Sequence, residues 1–396
     1  MSFIGDRGRR WGWLAVAWAL AGCGGSQPTA DAEPAAGGDM QPAAVSANAA
    51  GPVGAAAVVT GGAGGATVRV STPAQLKYEL CRSSSGGACT DAAPRTVEIA
   101  TTIALADTEG VATARACNCS VAALRGMLVG SNKTVLGIGA TAAVKGRGFL
   151  LQSGVSNIVI RNLSITDIGE GPVSGGDAVA IADASRVWID HNRFARVGRQ
   201  FIATGTGDRG GAAADVTISW NEFDGKGAAS ARRDDRQDGT LLFCGKGRMT
   251  FAYNWLHDFS EHGPHVEGDA LVHLVNNHFQ DGARHALDAA GRATRVLAEG
   301  NYFENVPVPI LRSAEAGPVH ALLAQTPASK AACSAALGRP CEPNIANPMA
   351  ATNDFAEDPA VLDAAGAVPS GSLVSPWPAR KVPAWVSAGV GVGHVR

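Results

Sequence analysis

Asp190 and His191 stand side by side in SRVWIDHNRF, and a carboxylate beside an imidazole can do general acid–base work. Asp234 and Asp235 are an adjacent carboxylate pair, the kind of pair that flanks a sugar bond during hydrolysis. Arg232, Arg233 and Arg236 surround them in ARRDDRQDG together with Asp238, so this stretch reads as a solvated loop of mixed charge. A second cationic group, Arg284 and His285, sits in DGARHALD. Asp177 in GGDAVAI, Arg199 in GRQF, and His262 with His265 in SEHGPHV complete the candidates. No Cys/His spacing resembles a structural zinc site, so no metal site is expected.

The elements that hold these residues repeat. NIVIRNLSI, VWIDHNRF, VTISWNEF, MTFAYNWL, LVHLVNNHF and RVLAEGNYF each pair a short alternating strand with an Asn, at Asn162, Asn192, Asn221, Asn254, Asn277 and Asn301. The intervals, 192−162=30, 221−192=29, 254−221=33, 277−254=23 and 301−277=24, mark a repeat architecture. Period-2 alternation and the lack of 3.6-residue periodicity predict a right-handed parallel β-helix, an all-β solenoid whose coils stack about 4.8 Å apart. The Asn residues are then expected to form an amide ladder, and Trp188, Phe194, Phe223 and Phe303 a stacked core. Asp190 and His191, at a strand end inside the repeat, become turn and stacking residues.

Lys and Arg number 33 against 35 Asp and Glu, a net charge of −2, so bulk electrostatics points to neither nucleic acid nor an anionic membrane as partner. Residues 1–22 read as a signal peptide, with Arg7, Arg9 and Arg10 before WGWLAVAWAL, an apolar run too short to span a membrane. Leu20-Ala21-Gly22-Cys23 resembles a bacterial lipobox, which makes Cys23 a lipidation site and predicts a secreted or outer-membrane lipoprotein, touching membrane only through that anchor. Residues 23–65, rich in Ala, Gly and Pro, read as a disordered tether, and residues 66–396 as one domain. Of the 8 Cys, Cys23 set aside, Cys333 and Cys341 are expected to pair. Cys81 and Cys89 pair with each other or exchange with Cys117 or Cys119, and Cys244 is the expected free thiol.

Two longer stretches resemble the pectate lyase and pectin lyase family of polysaccharide lyases: Gly130–Ile168, GSNKTVLGIGATAAVKGRGFLLQSGVSNIVIRNLSITDI, and Gly175–His191, GGDAVAIADASRVWIDH. ARVGRQFIATGT, LVHLVNNHF, VLAEGNYFENV and the Cys pair of CSAALGRPC resemble the fungal-type pectin lyases within it. The resemblance spans about residues 68–347 and implies a parallel β-helix with its cleft on one sheet. It also implies a monomer that cleaves pectin or polygalacturonate by β-elimination.

Elimination needs a base at C5, positive charge against the developing oxyanion, and a clamp on the sugar. Where C6 is a carboxylate the family neutralises it with calcium, and where C6 is a methyl ester an Arg stands in place of the metal. Asp177 matches the acidic position of both branches, Gly175 stands where the pectate branch has a second Asp, and Arg199 matches the pectin-lyase Arg. The resemblance therefore implies a calcium-independent enzyme without cofactors. His262 falls on the family's catalytic Arg and is expected to be the base, since a neutral imidazole has a reference pKa of about 6.5 against more than about 12 for guanidinium. Arg199 is expected close enough to disfavour the imidazolium. His265, on a common Lys position, and Arg284 are expected to bind saccharide. The Trp before GGD is Ser174, and the pectin-lyase aromatic run falls on TLLFCGKG. The alternatives are a calcium-dependent pectate lyase, a non-catalytic binder of uronate-rich polysaccharide and a β-helix hydrolase.

Overall fold

The structure is a computed structural model that describes residues 51–105, 126–169, 176–205, 213–227, 240–312, 316–348 and 355–395. Among the described residues, short strands of alternating character pair into sheets of 11, 9 and 8 strands, parallel except for the last strand of the largest, and each central coil contributes one strand to each sheet. One coil runs through Ala184–Asp190, Arg193–Val197 and Ile202–Thr204 and pairs in register with the next through Val187↔Val216, Phe194↔Phe223 and Ile202↔Leu241. This is the expected parallel β-helix.

Alternation decides which side chains go inside. Val187 and Ile189 point inward and are fully buried, as are Phe194, Phe223, Phe279 and Phe303 to within 1%. Register puts like residues over like. Phe194 stacks on Phe223 at 5.0 Å and Phe279 on Phe303 at 4.9 Å between ring centroids. Burial of each ring contributes about 1.5–3 kcal/mol. A helix over Pro73–Leu80, opened by Thr72 accepting from Gln75 N, inserts Leu76 and Leu80 and closes one end of the core.

The Asn ladder forms, with one correction at each end. Asn192, Asn221, Asn254, Asn277 and Asn301 each pass a side-chain N–H to the Oδ1 of the next, at 2.9–3.1 Å, and the ladder ends on Asn344. Leu163, not Asn162, occupies the position below Asn192: the Leu163 N–H donates to Asn192 Oδ1. Asn162 lies one residue earlier, where it bonds the Gly137 carbonyl and Gly393 N–H. Asn344 escaped the sequence alignment because the helix Pro327–Leu337 is inserted before it. Asp190 and His191 are structural, as expected: Asp190 accepts from Arg161 and Ser219, and the His191 ring stacks on Trp220 at 5.8 Å.

Three further expectations are corrected. Trp188 is on the outer face of its sheet, where alternation from Val187 and Ile189 must place it, under Ala56 and Val59. Its Nε1 donates to Ser219 and Arg161 lies over its ring. The cover is the end of the predicted tether. Within residues 51–65, Ala55 and Ala56 N–H donate to Thr250 and Thr217, and Thr60 and Gly61 N–H to Asn157. Outward Thr and Asn side chains give this Gly/Ala backbone partners, so the folded region begins earlier than residue 66. Residues 1–50, with the expected signal peptide and Cys23, lie outside the described residues. Cys333–Cys341 forms, Cys81 pairs with Cys89, and Cys244 is disulfide-bonded, not a free thiol. Its apolar surroundings bury a half-cystine as readily as a thiol.

Candidate active site

The eight-stranded sheet carries the cleft residues. On its outer face one file of paired residues runs Leu150, Ala180, Ala203, Leu242, His265, Asp288, Leu311. The inward neighbours are apolar and fully buried, among them Val179, Ile202, Leu241, Val266 and Leu287. The outer file is thus aliphatic over one half and ionisable at His265 and Asp288. This file holds no Trp, Tyr or Phe, and where the pectin-lyase aromatic run falls, on TLLFCGKG, it has Leu242.

A second set of groups precedes these strands. His262 turns out of line with φ 57°, in the left-handed region, directly before Gly263. A Cβ at Gly263 would lie 2.3 Å from Leu256 Cδ2, so the turn hugs the core and fixes where His262 emerges. The His262 side chain is 32% exposed. Its Nδ1 lies 3.6 Å from Asp288 Oδ2 and 3.4 Å from His285 Nε2, and its Nε2 lies 3.7 Å from Glu261 Oε1. His265 Nδ1 is 2.8 Å from the same Asp288 oxygen and its Nε2 3.5 Å from Glu267. Arg284 Nη1 donates to Glu261 Oε2 at 2.6 Å.

Electrostatics follows from these contacts. Burial works against the Asp288 charge, but the hydrogen bonds from His262 and His265 outweigh it and hold the carboxyl well below its ordinary range. Burial would lower His265, yet Asp288 and Glu267 overcome it and the imidazole is raised. His285 is lowered, by burial and then by the charge of His262.

Asp177 and Arg199 form the expected pair. Arg199 Nη1 donates to Asp177 Oδ2 at 3.2 Å, and the Gln200 N–H donates to Oδ1 at 3.2 Å. Burial pushes the Asp177 carboxyl up to about 6 against the pull of Arg199. This pair is not adjacent to His262. Register carries the Arg199 coil through Ile202↔Leu241 and Leu242↔His265, two coils or roughly 10 Å before the His262 coil. The expected contact between Arg199 and His262 is thus replaced by carboxylates, Glu261 and Asp288. Gly175, Ser174 and the cluster Arg232, Arg233, Asp234, Asp235, Arg236 and Asp238 lie outside the described residues.

Sequence reasoning missed Asp288, Glu261 and Glu267. The signal was present. His262 and His265 lie 8 and 11 residues after the ladder residue Asn254, and His285 and Asp288 lie 8 and 11 after Asn277. Two coils of equal length therefore superpose these pairs.

A family model described as Pectate lyase matches residues 36–330. A probable pectin lyase E of Aspergillus fumigatus is 40% identical over 285 residues, covering 70% of this chain and 72% of that protein. A probable pectin lyase F of Neosartorya fischeri matches to the same extent, at 40% over 285 residues. Among solved structures, a pectate lyase from Bacillus sp. N165 in complex with trigalacturonate superposes with a TM-score of 0.56 at 22% identity, over 87% of this chain and 99% of that one. A pectate lyase from Acidovorax avenae superposes with a TM-score of 0.55 at 17% identity, over 88% and 95%. Those structural likenesses carry the fold, and the sequence matches carry the family: the chain belongs to the pectate lyase family and is a polysaccharide lyase.

Proposed function

We propose that this lyase cleaves pectic galacturonan by β-elimination, in the calcium-independent manner of a pectin lyase, with His262 as the base. The observation that carries this is the position of His262, an imidazole one-third exposed in the turn just before the strand that carries His265 on a largely aliphatic sheet face. Neutral His262 takes the C5 proton. The C–H electron pair forms the C4–C5 double bond, the C4–O4 bond breaks, and O4 leaves with a proton from the imidazolium or solvent. Asp288 orients His265, and His265 and Arg284 are placed to donate hydrogen bonds to the saccharide. Arg199, held by Asp177, supplies positive charge to a uronate carbonyl in a neighbouring subsite of the same sheet.

A calcium ion does not fit at Asp177. Both carboxylate oxygens already accept hydrogen bonds, one from a guanidinium that would repel a cation, whereas calcium wants six to eight oxygens. The uncharged file Ala180, Ala203, Leu242 suits a methyl ester better than a row of carboxylates. The disulfides, Cys81–Cys89 and Cys333–Cys341 among them, fit an oxidising compartment, consistent with export.

The test is activity on esterified and de-esterified polymer with and without a strong calcium chelator. Activity should favour the esterified polymer and survive chelation, and Arg199→Ala should weaken saccharide binding, raising KM more than it lowers kcat. Loss of activity on chelation with recovery on added calcium would establish the calcium-dependent pectate reading instead.

A further inference from the structure

We propose that His262, His265 and Asp288 form a binding site for a divalent transition-metal ion of borderline softness, such as Zn²⁺, and that filling it silences the elimination. The second half of this proposal rests on His262 being the base; the first does not.

The donor set is two imidazole nitrogens and one carboxylate oxygen, all within 4.8 Å of one another. Asp288 Oδ2 is the shared vertex, 3.6 Å from His262 Nδ1 and 2.8 Å from His265 Nδ1. A tetrahedral ion with bonds of about 2.0–2.1 Å spaces its ligands about 3.3 Å apart, a value that the two distances at Asp288 bracket. The surroundings fit as well. A metal-bound imidazole normally donates its second N–H to a carboxylate. Here each Nε2 faces its own: Glu261 Oε1 at 3.7 Å for His262 and Glu267 Oε2 at 3.5 Å for His265. Nitrogen donors select zinc, cobalt or nickel over calcium.

Among the described residues, the cluster of Glu261, His262 and His285 shares His262 with this one and has its carboxylate held by Arg284, and two others fail the same comparison. Glu222, Asp224 and His257 converge, but Arg193 already contacts both carboxylates, at 3.3 and 2.5 Å. His320 lies beside Cys333 and Cys341, whose sulfurs are joined in a disulfide and offer no thiolate.

Silencing follows from imidazole chemistry. A neutral imidazole has one lone pair. A metal at Nδ1 takes it and leaves Nε2 carrying the proton, so no basic nitrogen faces C5–H. Binding therefore releases to solvent any proton that His262 or His265 held beyond the neutral form.

The test is a titration of metal-stripped, full-length protein with Co²⁺, read by its visible d–d absorption. Saturation at one equivalent is expected, with displacement by one equivalent of Zn²⁺ and none by a hundredfold excess of Ca²⁺. His265→Gln and Asp288→Asn should each weaken Co²⁺ binding at least tenfold, and Glu267→Gln about tenfold. Zn²⁺ should abolish the elimination rate in step with occupancy, and a chelator should restore it. Absence of a saturable spectrum, an unchanged spectrum in both ligand variants, or displacement by Ca²⁺ would overturn the site. Tight Zn²⁺ binding with an undiminished rate would overturn the silencing. A protein without lyase activity on either polymer would sink the proposed function, while the Co²⁺ titration would still decide the site.

Discussion

His262 has the contacts of a residue that exchanges protons: two carboxylates and a second imidazole surround it, and a third of its side chain meets solvent. The network around Asp288 makes a pH prediction. His265 is raised above its ordinary 6.5, so its stabilising contribution is complete below that value and vanishes as pH climbs through the raised one. Asp288 is depressed below its ordinary 3.8, so its contribution is complete above that value and vanishes as pH falls through the depressed one. Their pairing therefore stabilises the fold most between those ordinary values, 3.8 and 6.5. Asp288→Asn should cost about 1–3 kcal/mol there and distinctly less near pH 9. Denaturant titrations of both proteins across pH check this, and a pH-independent difference would refute it. Asp177 and Arg199 were recognisable as a pair in the sequence because each sits in a motif. Asp288 was not, because an Asp in ALDAA has no local signal and gains meaning only from register with His265.

At the scale of elements, the ladder does the positioning. Each ladder Asn holds the turn that starts a strand of the nine-stranded sheet, and the next turn of the same coil delivers the cleft residues. Asn277 donates to Phe251 O and Asn301 Oδ1 and accepts from Asn254, all buried. Asn277→Ala leaves those partners unmet and should lower stability by about 2–4 kcal/mol, read as a fall in the denaturation midpoint. A change below about 0.5 kcal/mol would show that the ladder is incidental. The repeat was legible because period-2 alternation and Asn at 23- to 33-residue intervals have one architectural solution. Asn162 misled because it also ends a strand, but one residue out of register it meets Gly137 instead of the ladder. Trp188 misleads because an aromatic in a strand suggests the interior, whereas its neighbours Val187 and Ile189 occupy that face.

At the scale of the molecule, a Gly/Ala-rich segment proved to be part of the fold. Composition predicts disorder from the lack of apolar anchors, and it could not foresee that Thr217, Thr250 and Asn157 on a sheet face would bind the bare backbone. What precedes this segment should tether the enzyme by a lipid at Cys23. Cys23→Ser should release the protein from the membrane fraction or leave it unprocessed, and native protein found wholly in the aqueous phase of a detergent extraction would end that idea. The central claim is that the sheet face holding His262 performs elimination. Its most direct measurement is the ultraviolet absorbance of the unsaturated uronate as wild-type and His262→Ala protein act on esterified polymer. The account predicts steady growth of absorbance with wild-type protein and a rate lower by about 10²–10⁴ in the variant. Equal rates from the two proteins, or new reducing ends without absorbance, would contradict it.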